Sequence, residues 1–288
     1  MKRKAIGAHL RSGSVSSLVL AVAVIASVLG FGGAAYAAIS ARGARSPGTT
    51  EATAVVRSAA AGRVLVIRAA GNIRAAVNRY RSLLGPDNGG APGGKPLGHR
   101  EINWDSVPDQ FAEPNPLPSD FFNSASAPRA RGALLTTPGK YVAVSAAPSN
   151  PYGTAVRFGN INPTYPRLFR TFSPPRLFSP IGSNIVNLYF RVPGTNTPGL
   201  VRGFGAVYTN VTIPEKTGFR YYDNRGRLLG SFTVPIKPRG LSFLGVIFPS
   251  PVVARVRIEY GNHALGPNES ARINVAVMDN FIYGEPQR

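Results

Sequence analysis

GFRYYDNRGRLLGSFTV, residues 218–234, reads as two short strands folded back on one another. Asp223-Asn224-Arg225-Gly226 supplies a type I turn between them, with Gly226 free to take the left-handed position that closes the hairpin. The segments on either side repeat the theme. LVRGFGAVYTNVTI (200–213) alternates Val201, Gly203, Gly205 and Val207 against Arg202, Phe204, Ala206 and Tyr208. VVARVRIEY (252–260) sets Val252, Ala254, Val256, Ile258 and Tyr260 on one face and Val253, Arg255, Arg257 and Glu259 on the other. Between them LSFLGVIF (241–248) is an unbroken apolar run, the pattern of a strand buried on both faces. Further strand candidates are KYVAVSA (140–146), AVRFGNI (155–161), NIVNLYFRV (184–192) and the closing NVAVMDNFIYG (274–284). No helical period survives beyond residue 100. Residues 99–288 are therefore expected to form one all-β, antiparallel sandwich, a jelly roll.

The part before it differs in kind. Residues 1–95 hold thirteen Lys and Arg against only Glu51 and Asp87, more than half of the +20 net charge of the 288-residue chain. Lys2, Arg3, Lys4 and Arg11 precede the apolar run LVLAVAVIASVLG (18–30), and Ala35-Tyr36-Ala37 offers a small-x-small cleavage site. Residues 1–37 read as a signal peptide, and the protein as secreted, held at the cell envelope or released. Residues 38–71 read as a basic linker with an ordered patch around RVLVIRAA, and no second apolar segment is long enough to span a bilayer. In NIRAAVNRYRSLLG (72–85), Ile73, Val77, Tyr80 and Leu84 fall on one stripe of a helix capped by Asn72 and ended by Gly85 and Pro86. That stripe either docks on the sandwich or meets a membrane surface or partner. PDNGGAPGGKPLG (86–98) is a loop by composition.

Familiar catalytic patterns are missing. His99 and His263 stand in no metal-ligand spacing, there is no G-x-S-x-G elbow, and no phosphate-cradling loop occurs. The acids Asp105, Asp109, Glu113 and Asp120 are scattered through a Pro-rich stretch, and no pair faces across a cleft as in glycosidases. No cysteine is present, so disulfides and thiolate sites are excluded. The Arg-rich surface favours anionic polymers through long-range attraction. It lacks the motif context of a nucleic-acid binder.

Two features invite a site. Asp279 interrupts an apolar strand on the line Val275, Val277, Asp279, Phe281, Tyr283. It could ligate structural calcium together with Asp105, Glu101 and Asn210, pair with an arginine, or accept backbone amides at strand ends. The run FGNINPTYPRLFRTFSPPRLFSPIGSN (158–184) repeats Arg-Leu-Phe. Its Tyr165, Phe169, Phe172 and Phe178, with Arg167 and Arg176, could stack on sugar rings and hold their polar groups, or bury themselves as a lid over the sandwich end.

The motifs REINWDSVPD, FGNINPTYP, GFGAVYTNV, YYDNRGRLLGSFTVP, GLSFLGVIF, ARVRIEYGNHALGPNE and VMDNFIYGEP, in this order, resemble a family of uncharacterised exported bacterial jelly-roll proteins, similar in look to PEP-CTERM-type surface proteins. The resemblance implies export and the sandwich fold. It also implies two departures: the family pattern carries Asp where this chain has Asn210 and Asn280, which weakens a calcium site. The chain ends at Arg288 with no sorting helix, so release or retention by charge is expected. Three functions fit these features. They are non-catalytic binding of a polysaccharide, cell-wall polymer or other anionic polymer, a structural surface protein, and a hydrolase with an unrecognised site. The first is the leading expectation.

Overall fold

Residues 62–268 and 272–288 are described by a computed structural model. Their strands are β1 (Leu65–Ala70), β2 (His99–Ile102), β3 (Ala133–Thr136), β4 (Tyr141–Val144), β5 (Phe178–Ile181), β6 (Ile185–Phe190), β7 (Gly203–Val211), β8 (Thr217–Tyr222), β9 (Leu228–Thr233), β10 (Lys237–Ile247), β11 (Arg255–Tyr260) and β12 (Val277–Gly284). Helix α1 covers Arg74–Leu84, and α2 is a single turn at Tyr165–Leu168. Seven strands form one sheet in the order β1-β10-β7-β12-β5-β4, with β2 also paired to β12; five form the other in the order β3-β6-β11-β8-β9. All pairs between named strands are antiparallel.

Eight of these strands reproduce the jelly roll. The order β2-β12-β7-β10 in one sheet faces β6-β11-β8-β9 in the other, so the chain crosses between sheets as two interlocked Greek keys. Strands β3, β4 and β5 lie between β2 and β6 in sequence and extend the two sheets. The hairpin forms as its sequence dictates. Gly226 has φ +76 and donates its N–H to the Asp223 carbonyl, while the Asp223 carboxylate accepts the N–H groups of Arg225 and Arg227.

Inward-facing residues of both sheets meet in one core around Trp104, Phe178, Leu188, Phe204, Tyr208, Phe219, Tyr221, Ile258 and Phe281. Trp104 lies flat on Phe178, with ring centroids 4.1 Å apart at 8° between planes, and touches Phe122 and Phe281 edge-on. A second core lies outside the seven-stranded sheet. Val77, Tyr80 and Leu84 of α1, with Ile73 just before it, pack on Val207, Phe243, Ile247 and Ile282 together with Ile67 and Ala69 of β1. The helix therefore docks on the sheet. Strand β10 is consequently covered on both sides, which accounts for its unbroken apolar run. Gly205 and Gly245, paired across β7 and β10, lie under the Tyr80 ring, and a Cβ on Gly245 would come within 2.5 Å of it. A bulkier residue there would lift the helix.

Three expectations need correction. The ordered patch at the end of the basic linker is strand β1, paired with β10 along its length, so the sandwich recruits residues that precede the helix. Asn72 does not cap α1, whose N-cap is Ile73 with no side-chain hydrogen bond. AVRFGNI is a turn: Arg157 and Phe158 take successive φ values of +50 and +63, outside the extended region that consecutive strand residues need. The signal-peptide and cleavage readings lie outside the described residues. No helix among the described residues is long and apolar enough to cross a membrane.

Candidate functional site

The two sheets differ on their outer faces. The seven-stranded sheet is roofed by α1 and, over β4, β5 and β12, by Phe158, Tyr165, Phe169 and Leu177, which pack on Ala143, Val275 and Val277. The five-stranded sheet presents its outer face as rows of polar and aromatic side chains. Register sets those rows, because residues directly opposite on antiparallel strands share a face. Tyr189 of β6, Arg255 of β11 and Tyr222 of β8 form one row, with Leu134 on one flank and Leu228 on the other. The next row is Thr136, Asn187, Arg257, Arg220 and Ser231. Arg220, Leu228, Ser231 and Thr136 are exposed; Tyr189, Tyr222, Asn187, Arg255 and Arg257 are half-exposed.

The arginines of this face are held in defined positions. The Arg255 guanidinium sits 3.9 Å above the Tyr222 ring centroid and donates from Nη1 to Asn187 Oδ1 at 2.9 Å. Arg220 and Arg257 share one acid, Glu259, with Nε 3.2 and 3.5 Å from its Oε1. Two guanidinium groups thus share one carboxylate, and the third, that of Arg255, has only neutral partners on this face. Where the first row meets the hairpin turn, a cleft of about 390 Å³ opens, lined by Tyr189, Arg191, Leu200, Asp223, Asn224, Arg255 and Arg288 among others. The Asp223 carboxyl is held below the ordinary aspartate range by its bonds to Arg227 and Arg225, which outweigh its partial desolvation. It thus stays charged as the anchor of the turn.

The six residues of the aromatic run are not assembled as a binding surface. Tyr165, Phe169 and Phe178 are fully buried, Phe178 beneath Trp104 and Tyr165 with its hydroxyl bonded to Gly266 O at 2.9 Å. Phe172 is half-buried against the α1 cluster with Arg74 over its ring, 5.7 Å from the centroid. Arg176 is spent inside, bonded to Ser145 O at 2.9 Å and paired with Asp109 Oδ1 at 2.6 Å. Arg167 alone is exposed. The run is a lid over the outer face of β4, β5 and β12, except that Phe178 belongs to β5 and points into the central core.

The four residues expected around calcium are also used otherwise. Asn210 has φ +66 where β7 faces a bulge of β10, donates to Val275 O and accepts the Arg239 N–H. Glu101 takes a two-pronged hold from Arg81, at 2.6 and 2.8 Å, and accepts from Asn280 Nδ2. Asp279 and Asp105 do come together, about Ser173. Asp279 Oδ2 accepts the N–H groups of Phe172 and Ser173 at 2.6 and 3.1 Å, and Asp105 Oδ1 accepts the Arg176 N–H. Among the described residues no three His, Asp or Glu cluster as a metal centre would need.

The face assigned to Asp279 also changes. Between Met278 and Phe281 the pairing with β7 advances three residues against two, from Tyr208 to Ala206. This one-residue bulge breaks the alternation. Val275 and Val277 lie under the outer lid, whereas Phe281 and Tyr283 face the central core. The carboxyl of Asp279 meets the lid's backbone, the amide-accepting role that was one of three readings of its sequence context.

Burial pushes the Asp279 carboxyl up to about 8, with the neighbouring Asp105 charge adding to the rise and the three lid hydrogen bonds opposing it. Ser173 Oγ lies 3.0 Å from Asp279 Oδ1 and 2.9 Å from Asn280 Oδ1, and a hydroxyl has one proton to give. Ser173 Oγ is placed to donate to either oxygen, and Asn280 Nδ2 donates to Glu101; a proton on Asp279 would leave the Ser173 hydroxyl to Asn280 alone.

No family model and no curated protein matches this chain. Among solved structures, the enzymatically active domain of bacteriophage CBA120 tailspike protein 4 aligns with a TM-score of 0.26 and 16% identity, over 58% of this chain and 20% of that one.

Proposed function

We propose that this protein is an exported, non-catalytic binding module that holds a carbohydrate or anionic polymer on the outer face of its five-stranded sheet. The observation that carries the reading is the contrast between the faces: one sheet is sealed by a helix and a lid, while the other displays Tyr189, Arg255, Tyr222, Asn187, Arg257 and Arg220 in register. Tyr189 and Leu228 bring apolar contact surface to this face, while Arg255, stacked on the Tyr222 ring and tied to Asn187, adds a fixed donor that sets orientation. The non-catalytic part of the proposal is supported by how the acids are engaged. Glu285 is paired with Arg100, Glu101 with Arg81, Asp109 with Arg176 and Asp223 with Arg227, while Glu113 accepts from Asn160 and Tyr141. Export rests on the signal-peptide pattern of residues 1–37.

Sedimentation with insoluble cell wall and with a panel of polysaccharides tests the proposal. Retention that falls in Tyr189→Ala and Tyr222→Ala but not in Phe169→Leu supports the open face as the site. Retention that is indifferent to both tyrosines overturns it. Absence of retention, together with self-assembly of the protein, would favour the structural surface protein.

A further inference from the structure

We infer that the ligand of the open face is an acidic polysaccharide, one carrying a carboxylate or sulfate on most of its sugars. This rests on the binding reading above and narrows it.

Arg220, Arg255 and Arg257 stand together on the face, and Glu259 pairs with Arg220 and Arg257 but not with Arg255, so the patch keeps a surplus of positive charge that a neutral glycan would leave unmatched. Like charges placed directly opposite across strands destabilise a sheet, as Arg257 and Arg220 are here. Glu259 bridges this pair and offsets one of its two charges, so one positive charge of the pair and that of Arg255 stay open to an outside anion.

Arg255 is stacked on Tyr222 and tied to Asn187 through Nη1. A guanidinium fixed in this way offers its remaining N–H donors in a set direction, and its planar fork matches a carboxylate or a sulfate oxygen pair. Arg255 and Arg257 project from the same face two residues apart along β11, about 6.7 Å at the strand rise, while Arg220 flanks Arg257 on the neighbouring strand. The anchors are spaced as a series rather than gathered at a point, which suits a polymer with repeated charges better than a single small anion.

Tyr189 and Tyr222 bracket Arg255, and Leu228 extends the row with 57% of its surface exposed. Sugar rings present C–H faces that pack on aromatic and aliphatic surface, and their hydroxyls can use Asn187, Thr136 and Ser231. The row runs into the cleft beside the hairpin turn, where Arg191 and Asn224 continue the polar lining. A chain laid across the strands would pass from one to the other.

The test is affinity electrophoresis of the full chain and its variants through gels containing polygalacturonate, dextran sulfate or neutral dextran, at low and high salt, with single-stranded DNA as a competitor. Retardation by the two acidic polymers and not by dextran, reduced about tenfold in Arg220→Gln/Arg257→Gln, is expected from the loss of two charge-assisted contacts. Preference between polygalacturonate and dextran sulfate separates carboxylate from sulfate. Equal retardation by dextran, lost in Tyr222→Ala but kept in the arginine variant, overturns the acidic class and leaves the binding face standing. Acidic-polymer retardation that none of these substitutions changes overturns the site, and places binding elsewhere on the basic chain. DNA that competes better than polygalacturonate overturns the polysaccharide. No retardation by any polymer sinks both this inference and the binding reading.

Discussion

The two halves of this sandwich treat charge in opposite ways. Beneath the seven-stranded sheet and at its β2 edge, charge is buried and tied to named partners; on the five-stranded sheet it is left at the surface in excess. Arg100 shows the first treatment at its fullest. It lies fully buried, grips Glu285 through Nε and Nη2 at 2.8 Å each, and donates further to the carbonyls of Ala91, Ala130 and Gly93. Glu285 in turn accepts from Asn88 Nδ2 and the Lys95 N–H. Two side chains thereby give the glycine-rich loop a fixed path. Arg220, on the other half, has 47% of its side chain exposed and shares its acid with a second arginine. The first kind of charge organises the fold, and the second is available to a partner.

The buried Arg100–Glu285 pair carries the largest expected effect. Glu285→Ala leaves the Arg100 guanidinium buried beside carbonyls with no counter-charge, and breaking a buried pair this way costs about 3–5 kcal/mol. Urea unfolding should show that loss, with the loop near Ala91 and Lys95 becoming sensitive to protease. A loss under about 1 kcal/mol would mean that the pair does not hold the loop, since that is no more than a surface ion pair contributes. Leu84→Ala comes next. Leu84 is 2% exposed under α1, and truncating a buried leucine costs about 2–5 kcal/mol. Unfolding in one transition would establish that helix and sheet melt together. A separate early transition would show the helix to be a loosely attached roof.

Both results depend on features that the sequence displayed unequally. The hairpin, the jelly roll and the apolar stripe of α1 were legible because each rests on local periodicity or turn chemistry. The open face was half legible: the alternation of VVARVRIEY put Arg255 and Arg257 outward, but only pairing with β6 and β8 brings Tyr189 and Tyr222 beside them. The aromatic run stayed ambiguous because its composition suits a ligand surface as well as a lid, and the burial of Tyr165, Phe169 and Phe178 decides for the lid. Asp279 misled for another reason. A period-two reading runs straight through the bulge at 278–281, and nothing in the residues VMDNF announces the extra residue. Asn210 and Asn280 become intelligible only with their partners. Each donates through its amide nitrogen, to Val275 O and to Glu101, and an aspartate in either place would set a carboxylate against an acceptor.

That network supplies a smaller effect with a pH signature. The folded-state pKa of Asp279 is raised above its unfolded value, to about 8. Its contribution is therefore fully present below the ordinary aspartate range and is lost as pH rises through about 8, because the folded chain holds a proton there that the unfolded chain has released. Asp279→Asn mimics the protonated acid: it can accept the Phe172 and Ser173 N–H groups and donate to Ser173 Oγ. Stability measured from about pH 5 to about pH 8, between the ordinary aspartate value and the folded value of about 8, should decline less in the variant than in the parent chain. Identical slopes would show that Asp279 is charged in the lid.

The smallest expected effect is the sharpest test of the division between the halves. If the open face is reserved for a partner, its side chains contribute little to folding. Arg220→Gln removes a guanidinium that shares Glu259 with Arg257, and so relieves repulsion as much as it breaks attraction. Leu228→Ser removes apolar surface that is 57% exposed already. Each should shift stability by no more than about 0.5 kcal/mol, the range of surface substitutions away from special features. Thermal melts of the two variants, run beside the acidic-polymer gels, would then show stability held and binding changed. A loss of several degrees in either variant would mean that this face is packed against something in the folded chain itself, and the distinction between a sealed half and an open half would have to be redrawn.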